Sequence, residues 1–305
     1  MTEKFCFVFV FAALSLARPL YAQQKIAFTW DDLPAHSSLP SGTTRQQIID
    51  AIISTTLAQH LPAPYGFVNA KPIEDTPDLI NVLKAWRSAG FLLGNHTWSH
   101  MNLNDQNATL EAWEADLLRN EPVLSKEMGT ADFHWLRFPN LSEGTAPDKK
   151  QGVRRFLAAH SYKIAGVTMS FSDYAYNEPY SRCVAAGDQT ALGRLENSYL
   201  EEAAKNLDYA HRMSMALYGR DIPYILLMHV GALDAKLLPN LLEMYELHGV
   251  QFISLQEAAE DRFYQNDLDL SLNPVPDTLE EAMRLKGLPL PPREPPSVNL
   301  ATICR

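Results

Sequence analysis

The sequence predicts an α/β protein built from parallel strands, and two observations lead to this prediction. Short apolar segments alternate with longer amphipathic segments from Lys25 onward, which is typical of strands joined by helices. Seven such apolar segments follow one another, and this number favours a barrel-like fold over a small open sheet. In such folds the chemistry collects where the carboxyl ends of the strands meet the following loops.

The predicted elements follow one another in a regular order. Strands are expected at the segments KIAFTW, YGFVNA, FLLGN, FHWLRF, YKIAGVTM, YILLMH and VQFISL. Helices are expected after them at residues 45–60, 76–89, 105–128, 148–160, 190–219, 234–247 and 256–264. The pattern then ends, apart from a short helical stretch near 277–286. Five prolines lie between residues 289 and 296, so residues 265–305 are predicted to be a proline-rich C-terminal extension that wraps the surface or is mobile.

Residues 1–22 are predicted to be a cleaved export signal. Lys4 precedes an apolar run of about 13 residues that begins at Phe5, and Ala22 supplies a small residue at the expected cleavage point. A retained membrane anchor is the alternative, but a run of this length is short for a bilayer span. Export to the periplasm or the medium places Cys183 and Cys304 in an oxidising compartment, where they either pair or stay separate thiols.

The charge balance excludes one class of partner. The chain of 305 residues carries 26 Lys and Arg against 36 Asp and Glu, a formal net charge of −10. An acidic chain of this kind does not bind nucleic acid by general electrostatics. Its apolar and charged fractions are those of a soluble globular protein, with no membrane span expected after the signal is removed.

Two predicted strands end in residues suited to a metal site. The segment FTWDD places Asp31 and Asp32 where the chain leaves the sheet, and GNHTWSH places His96 and His100 four residues apart. Adjacent carboxylates in a strand point to opposite faces, so one can bind a metal while the other stays free as a base. A carboxylate and two imidazoles suit zinc and also cobalt, nickel or iron. Alternatively, DDLP is a turn or helix cap. His36 either enters this site or belongs to the loop.

Later strand ends carry further polar residues. Arg137 follows the fourth strand in WLRFPNL, where its guanidinium can hold a carboxylate and the N–H of Asn140 can stabilise an oxyanion. His229 ends a very apolar strand, and Asp173 can hold its second ring nitrogen and keep it protonated. Taken singly, a surface ion pair for Arg137 and a satisfied core position for His229 are the favoured interpretations of these residues.

In this order the segments TWDD, HTWSH, RFPN, SFSDY and LMH resemble the motifs of the polysaccharide deacetylase family, the NodB-homology group of carbohydrate esterase family 4. The resemblance runs from about Lys25 to Gln256. It implies a distorted (β/α)7 barrel of NodB-homology type, with residues 23–264 as a single catalytic domain. It also implies a divalent metal, Zn²⁺ in the first place, with Co²⁺, Ni²⁺ or Fe²⁺ as alternatives.

The resemblance implies roles for eight residues. These are Asp31 as catalytic base, Asp32, His96 and His100 as metal ligands, Arg137 as the residue that orients the base, Asn140 as oxyanion donor through its backbone N–H, Asp173 as the carboxylate that tethers the acid, and His229 as general acid.

Three departures from the family pattern concern the substrate groove more than the metal chemistry. Trp30 replaces the usual phenylalanine or tyrosine of the first motif, and Asn140 replaces an aromatic residue of the third. In the fourth motif Ser170 replaces an acidic residue, and Tyr174 replaces the usual tryptophan. Tyr174 and Tyr176 are candidates for sugar-facing aromatic surface or for ordinary packing.

The expected function is hydrolysis of an acetyl group from an N- or O-acetylated carbohydrate. A glycan that contains GlcNAc, such as peptidoglycan or chitin oligomers, is favoured over acetylxylan. Two alternatives stay open: a secreted carbohydrate-binding protein with a structural metal and no turnover, and an amidohydrolase that acts on a small non-sugar amide.

Overall fold

The seven predicted strands are present and form one curled parallel sheet with helices around it. The computed structural model describes residues 23–274, 276 and 278–305, so the predicted export signal lies outside the described residues. The strands are Lys25–Leu33 (β1), Tyr65–Val68 (β2), Leu92–Asn95 (β3), Trp135–Leu136 (β4), Lys163–Ile164 (β5), Tyr224–His229 (β6) and Gln251–Ile253 (β7). Their order is β5-β4-β3-β2-β1-β6, and β7 pairs with the start of β1.

The helices lie between and after the strands. They are Arg45–Ala58 (α1), Lys71–Asp75 (α2), Ile80–Ser88 (α3), Leu110–Met128 (α4), Pro147–Ala159 (α5), Tyr174–Ala186 (α6), Gln189–Tyr218 (α7), Ala232–Leu247 (α8), Leu255–Ala259 (α9), Gln265–Leu268 (α10) and Leu279–Leu285 (α11). Short 3-10 helices lie at Pro77–Leu79, Pro139–Leu141 and Arg262–Tyr264. This arrangement is the distorted (β/α)7 barrel that the sequence predicts.

The fourth and fifth strands are shorter than predicted, because the chain leaves the ladder to close the barrel. Only two residues pair in each of β4 and β5. Beyond β5, the amides of Thr168 and Met169 donate to the carbonyl of Ile225 on β6, at 3.1 Å each. The amide of Leu227 donates back to Met169 at 3.0 Å. This segment therefore bridges the gap between β5 and β6.

The two faces of β1 contact different parts of the core. Ile26, Phe28 and Trp30 belong to the large apolar cluster formed with the helices, whereas Ala27 belongs to a second cluster inside the curled sheet. Side chains alternate between the faces of a strand, so Asp31 shares the inner face with Ala27. The carboxylate of Asp31 consequently lies at the inner, carboxyl end of the barrel.

Helix α6 is absent from the prediction, which leaves the region before residue 190 without a helix. Its sequence contains Pro179, which removes one helical hydrogen bond and argues against a helix from propensity alone. Burial compensates, since Tyr176, Asn177, Pro179 and Cys183 all face the interior. Tertiary packing thus outweighs local preference in this segment.

The C-terminal residues lie against the domain. Cys183 of α6 and Cys304 form a disulfide, which decides between the two alternatives that the sequence leaves open. Arg182 also donates to the carbonyls of Leu300 and Ile303, and Ser297 donates to Glu201. The end of the chain is therefore attached to α6 and α7.

We expect loss of the disulfide to destabilise the fold. The two cysteines are 121 residues apart, and opening so long a loop frees much conformational entropy in the unfolded chain. Cys304→Ser should lower the free energy of unfolding by about 2–4 kcal/mol, measured by urea denaturation without reductant. A Cys183→Ser, Cys304→Ser double variant should match the single variant. An unchanged midpoint would show that the bond contributes nothing to stability.

Candidate metal centre and active site

Both acidic residues at the end of β1 approach the same imidazole. Oδ2 of Asp31 and Oδ1 of Asp32 each lie 3.6 Å from Nε2 of His96. The sequence predicts that the two carboxylates point to opposite faces, but Asp32 has a φ of 62°, and this left-handed residue turns the chain inward. The two carboxylates therefore share one side of the site.

Asp32, His96 and His100 form a cluster whose geometry fits a metal ion. One ligand atom from each residue lies within 4.8 Å of the others. Nε2 of His100 lies 3.6 Å from Oδ1 of Asp32, the same oxygen that faces His96. The Nδ1–H of His96 donates to the carbonyl of Arg137 at 2.7 Å, because a carbonyl can only accept. This bond leaves the lone pair of Nε2 free for a metal.

Electrostatics favours the protonation states that metal binding needs. Burial lowers the pKa of His96 despite the nearby Asp31 and Asp32, so its imidazole tends to stay neutral. Burial alone raises the pKa of Asp32, but the hydrogen bond from His36 and the nearby imidazoles outweigh it and hold this pKa below its usual range. A neutral imidazole and an ionised carboxylate are the ligand forms.

A buried polar network holds the loop from His96 to His100, which follows β3, in a non-helical conformation. Asn95, which is fully buried, accepts from the amide of Thr97 at 2.9 Å and from Nδ2 of Asn120 at 2.9 Å. Asp116 accepts from the amide of Ser99 at 3.0 Å. Asp116 and Asn120 on α4 are absent from the predicted site. They lie four residues apart on the helix face that also carries Trp113, Leu117 and Leu124, and polar residues on an apolar face are a readable signal.

Arg137 is buried and holds Asp31 in one orientation. Its Nη1 lies 3.2 and 3.4 Å from the two carboxylate oxygens of Asp31, and both residues are at most 2% exposed. Its Nε donates to the carbonyl of Ala165 at 2.7 Å, and its Nη2 donates to Oγ1 of Thr29 at 2.9 Å. The guanidinium is thus fixed on three sides, and the surface ion pair considered from the sequence is wrong.

Truncation of this arginine should cost much stability. Arg137→Ala leaves Asp31 as a buried carboxylate without its counter-charge, so we expect the free energy of unfolding to fall by about 3–5 kcal/mol. Urea denaturation measures the change. Arg194, which is exposed on α7, gives the matched control Arg194→Ala, for which we expect a change within about 0.5 kcal/mol. Equal stability of the two variants would contradict a structural role for the buried pair.

Asn140 lies in a turn that directly follows Arg137. Pro139 begins the turn, and Asn140 adopts a left-handed conformation with φ 56° and ψ 21°. Asparagine tolerates this conformation better than most residues do. The residue is exposed to solvent.

Asp173 and His229 form a close pair at the inner rim. Nδ1–H of His229 donates to the buried Asp173 carboxylate at 3.0 Å, and the amide of His229 donates to the same carboxylate at 2.6 Å. Burial alone lowers the pKa of His229, but Asp173, with Asp32 and Asp31 further away, raises this pKa to about 10. His229 is therefore protonated at neutral pH, and it lies beside Asp31 in the register of β1 and β6.

The two tyrosines after Asp173 differ in exposure. Tyr174 is 50% exposed, and its ring lies 5.3 Å from that of His229 in an edge-on arrangement. Tyr176 is 1% exposed, and its hydroxyl contacts Ser198. Tyr176 therefore belongs to the core, and the idea that it offers sugar-facing surface is wrong because its ring packs between helices.

Behind the Asp173–His229 pair, a second buried network joins α6 to α8. Asn177 on α6 donates to Asp234 at 2.6 Å and accepts from the amide of Leu233 at 3.0 Å. Tyr199 donates to the other oxygen of Asp234 at 2.7 Å. Because α6 begins after Asp173 and α8 follows His229, this network fixes the two halves of the pair relative to each other.

The known proteins most relevant to this geometry come from one family. Residues 21–160 match the family model described as polysaccharide deacetylase. Residues 21–160 belong to the polysaccharide deacetylase family. These residues include Asp31, Asp32, His96, His100 and Arg137. A search of curated protein sequences finds no match to the chain.

Solved structures of similar fold extend the likeness beyond residues 21–160. A chitin deacetylase from Colletotrichum lindemuthianum has a TM-score of 0.54 and 19% identity, with 79% of this chain and 90% of that one covered. A structure described as T48 deacetylase with substrate has a TM-score of 0.50 and 17% identity, with 78% of this chain and 91% of that one covered. A CE4-family pseudoenzyme from Bacillus anthracis has a TM-score of 0.52 and 11% identity, with 78% of this chain and 66% of that one covered. At these identities the likeness concerns the fold alone.

Because pseudoenzymes are among these structures, the question of catalytic activity depends on the individual site residues and not on the fold. The deacetylase fold is compatible with both turnover and its absence, so the fold does not decide whether this chain is active. The eight predicted site residues all lie at the carboxyl ends of the strands or in the loops that follow. Across residues 23–274, 276 and 278–305, no helix has both the length and the apolar character that a membrane span requires.

Proposed function

We propose that the chain is an exported, metal-dependent hydrolase that removes acetyl groups from an N- or O-acetylated carbohydrate. A glycan containing GlcNAc, such as peptidoglycan or chitin oligomers, is favoured over acetylxylan. One observation carries the proposal: the cluster of Asp32, His96 and His100 lies beside a carboxylate that is paired with an arginine, and the neighbouring strand brings an imidazole that is paired with a carboxylate next to them. A binding protein has no need of a base and an acid beside a metal.

Asp32, His96 and His100 would hold the metal, for which we propose Zn²⁺, with Co²⁺, Ni²⁺ and Fe²⁺ as alternatives. Three protein ligands leave coordination positions for water and substrate, as hydrolytic sites require. When bound, such an ion would lower the pKa of water to about 7 and polarise a carbonyl group.

Asp31 is the proposed general base. It accepts a proton from the attacking water, while Arg137 keeps its carboxylate in one orientation. The contribution of the ion pair is a fixed position for this carboxylate beside Nε2 of His96. Attack on the acetyl carbonyl then gives a tetrahedral oxyanion.

The proposed oxyanion donor and general acid complete the reaction. The backbone N–H of Asn140 donates to the oxyanion, a contribution of about 3 kcal/mol in comparable sites. His229, kept protonated by Asp173, donates its Nε2 proton to the leaving nitrogen or oxygen. An amide needs this proton more than an ester does, since an amine anion cannot leave.

Two further parts of the proposal concern location and domain limits. Export is supported by the apolar run after Lys4 and by the Cys183–Cys304 disulfide, since such bonds persist in oxidising compartments. We propose residues 23–264 as the catalytic domain and residues 265–305 as an extension attached to it.

Acetate release from a substrate panel tests this function. Purified chain loaded with Zn²⁺ is incubated with acetylated chitooligosaccharides, peptidoglycan and acetylxylan, and acetate is measured with a coupled enzymatic assay. We expect more acetate from the first two than from acetylxylan. Stoichiometric metal without acetate from any of the three would contradict the proposal and favour a glycan-binding protein or a hydrolase of a small non-sugar amide.

A further inference from the structure

His36 lies in the loop between β1 and α1 and contacts a proposed metal ligand. Its Nδ1 lies 2.9 Å from Oδ2 of Asp32. An ionised carboxylate can only accept, so Nδ1 carries the hydrogen. The other oxygen of Asp32, Oδ1, faces Nε2 of both His96 and His100 at 3.6 Å. The two oxygens of Asp32 therefore have separate partners: Oδ2 contacts His36, and Oδ1 faces the two histidines of the metal cluster.

The backbone of this loop is held without help from the His36 side chain. The guanidinium of Arg45 donates to the backbone carbonyls of His36 and Ser37. The side chain of His36 is only 15% exposed. Its ring is thus placed next to Asp32 by the chain itself, and a substitution of the side chain leaves the anchor at Arg45 intact.

The second ring nitrogen of His36 is buried and has no hydrogen-bond partner among the described residues. Buried polar atoms are nearly always paired with protein or water, so such an atom calls for a partner. The ring centre of His36 lies 4.8 Å from that of His229, the proposed general acid. With the hydrogen on Nδ1, Nε2 can accept a hydrogen bond, and it lies beside the imidazole that is proposed to protonate the leaving group.

We propose that His36 is a positioning residue with two functions. Its Nδ1–H holds Asp32 so that Oδ1 faces the metal, and its Nε2 accepts a hydrogen bond from a hydroxyl or N–H group of the bound substrate. The second function rests on the proposed deacetylase activity, whereas the first concerns metal binding alone. The orientation of a ligand by an outer hydrogen bond commonly changes metal affinity by about 10- to 100-fold.

Two amide substitutions separate these functions. In His36→Asn, the side-chain nitrogen occupies nearly the place of Nδ1 and keeps the donor to Asp32. In His36→Gln, the longer side chain places its amide nearer the position of Nε2 and loses that donor. His248 provides the control pair His248→Asn and His248→Gln. It is exposed and precedes β7, so it lies at the amino end of that strand and away from the site at the carboxyl ends.

The first readout is the dissociation constant of Co²⁺, measured by competition with a chelator, together with the visible absorption spectrum of the bound ion. We expect His36→Asn to bind Co²⁺ within about threefold of the parent chain and His36→Gln to bind it about 10- to 100-fold more weakly, with an altered spectrum. The His248 variants should match the parent. Co²⁺ affinity and spectrum in His36→Gln equal to those of the parent would overturn the proposed orientation of Asp32.

The second readout is the split between KM and kcat on an acetylated chitooligosaccharide. We expect His36→Asn to raise KM by about 2- to 10-fold, which corresponds to one lost neutral hydrogen bond, at nearly unchanged Co²⁺ affinity. An unchanged KM would overturn the substrate contact. If the parent chain binds Co²⁺ but releases no acetate, the proposed function fails, while the Co²⁺ measurements still decide the first function of His36.

Discussion

Asp31→Asn is expected to lower kcat by about 10²–10⁴-fold while the chain keeps its metal. The amide has nearly the size of the carboxylate and can still accept from Arg137, but it cannot take a proton from water. Asp31 contributes no ligand to the proposed set of Asp32, His96 and His100, so metal affinity should change little. The measurement combines steady-state kinetics of acetate release with metal content of the same preparation.

A matched control guards against a general effect of the substitution. Asp105→Asn makes the same chemical change at an exposed position before α4 and should leave kcat unchanged. Because Arg137 loses its counter-charge in Asp31→Asn, thermal unfolding should be followed in parallel to verify that the variant is folded at the assay temperature. Full activity in a folded, metal-loaded Asp31→Asn would remove Asp31 as the base.

The second large effect is expected at the acid side of the site. Asp173 raises the pKa of His229 to about 10, so Asp173→Asn should move this pKa downward by about 1 pH unit or more. A protonated His229 is the proposed acid, and kcat/KM of the variant should therefore decline at lower pH than that of the parent. Once the pH exceeds both values, each unit by which this pKa falls should lower kcat/KM of the variant about 10-fold relative to the parent.

The same pair links stability to pH. The folded pKa of His229 lies above the ordinary value of 6.5, so its pairing with Asp173 stabilises the fold fully below about pH 6.5. This contribution is lost as the pH rises through about 10. Asp173→Asn should weaken this dependence, measured by urea denaturation at pH 6 and pH 10. The control is Asp132→Asn in the exposed pair of His134 and Asp132. It should change neither the pH profile of kcat/KM nor the part of the stability profile that comes from His229. Identical pH profiles for Asp173→Asn and the parent would contradict the acid assignment.

Much of the barrel could be predicted from the sequence because its strands are short, apolar and regularly spaced. β1 and β6 are the clearest cases, since their apolar runs end abruptly in polar residues. The limits of β4 and β5 could not be predicted, because the turn of the chain toward β6 depends on hydrogen bonds to Ile225 that are distant in sequence. Helix α6 was missed for a similar reason, since the burial that offsets Pro179 is a property of the fold.

The site shows the same division between local and distant information. The motif order brings the eight predicted residues to one edge of the sheet, where each lies at the end of a strand or in the next loop. The contact between His36 and Asp32 was left open, because it requires the left-handed turn at Asp32 and the anchoring of the loop by Arg45. The supporting network of Asn95, Asp116 and Asn120 joins a loop to a helix that follows it, and such partners are not fixed by spacing alone.

Acetate release is expected to depend on a metal held by Asp32, His96 and His100. The most direct test of this dependence strips the purified chain with EDTA and measures acetate from an acetylated chitooligosaccharide before and after Zn²⁺ is returned. We expect release to stop on stripping, to return with about one equivalent of Zn²⁺ and not to return in Asp32→Ala. Release by the metal-free chain at the original rate, or none from the Zn²⁺-loaded chain, would contradict it.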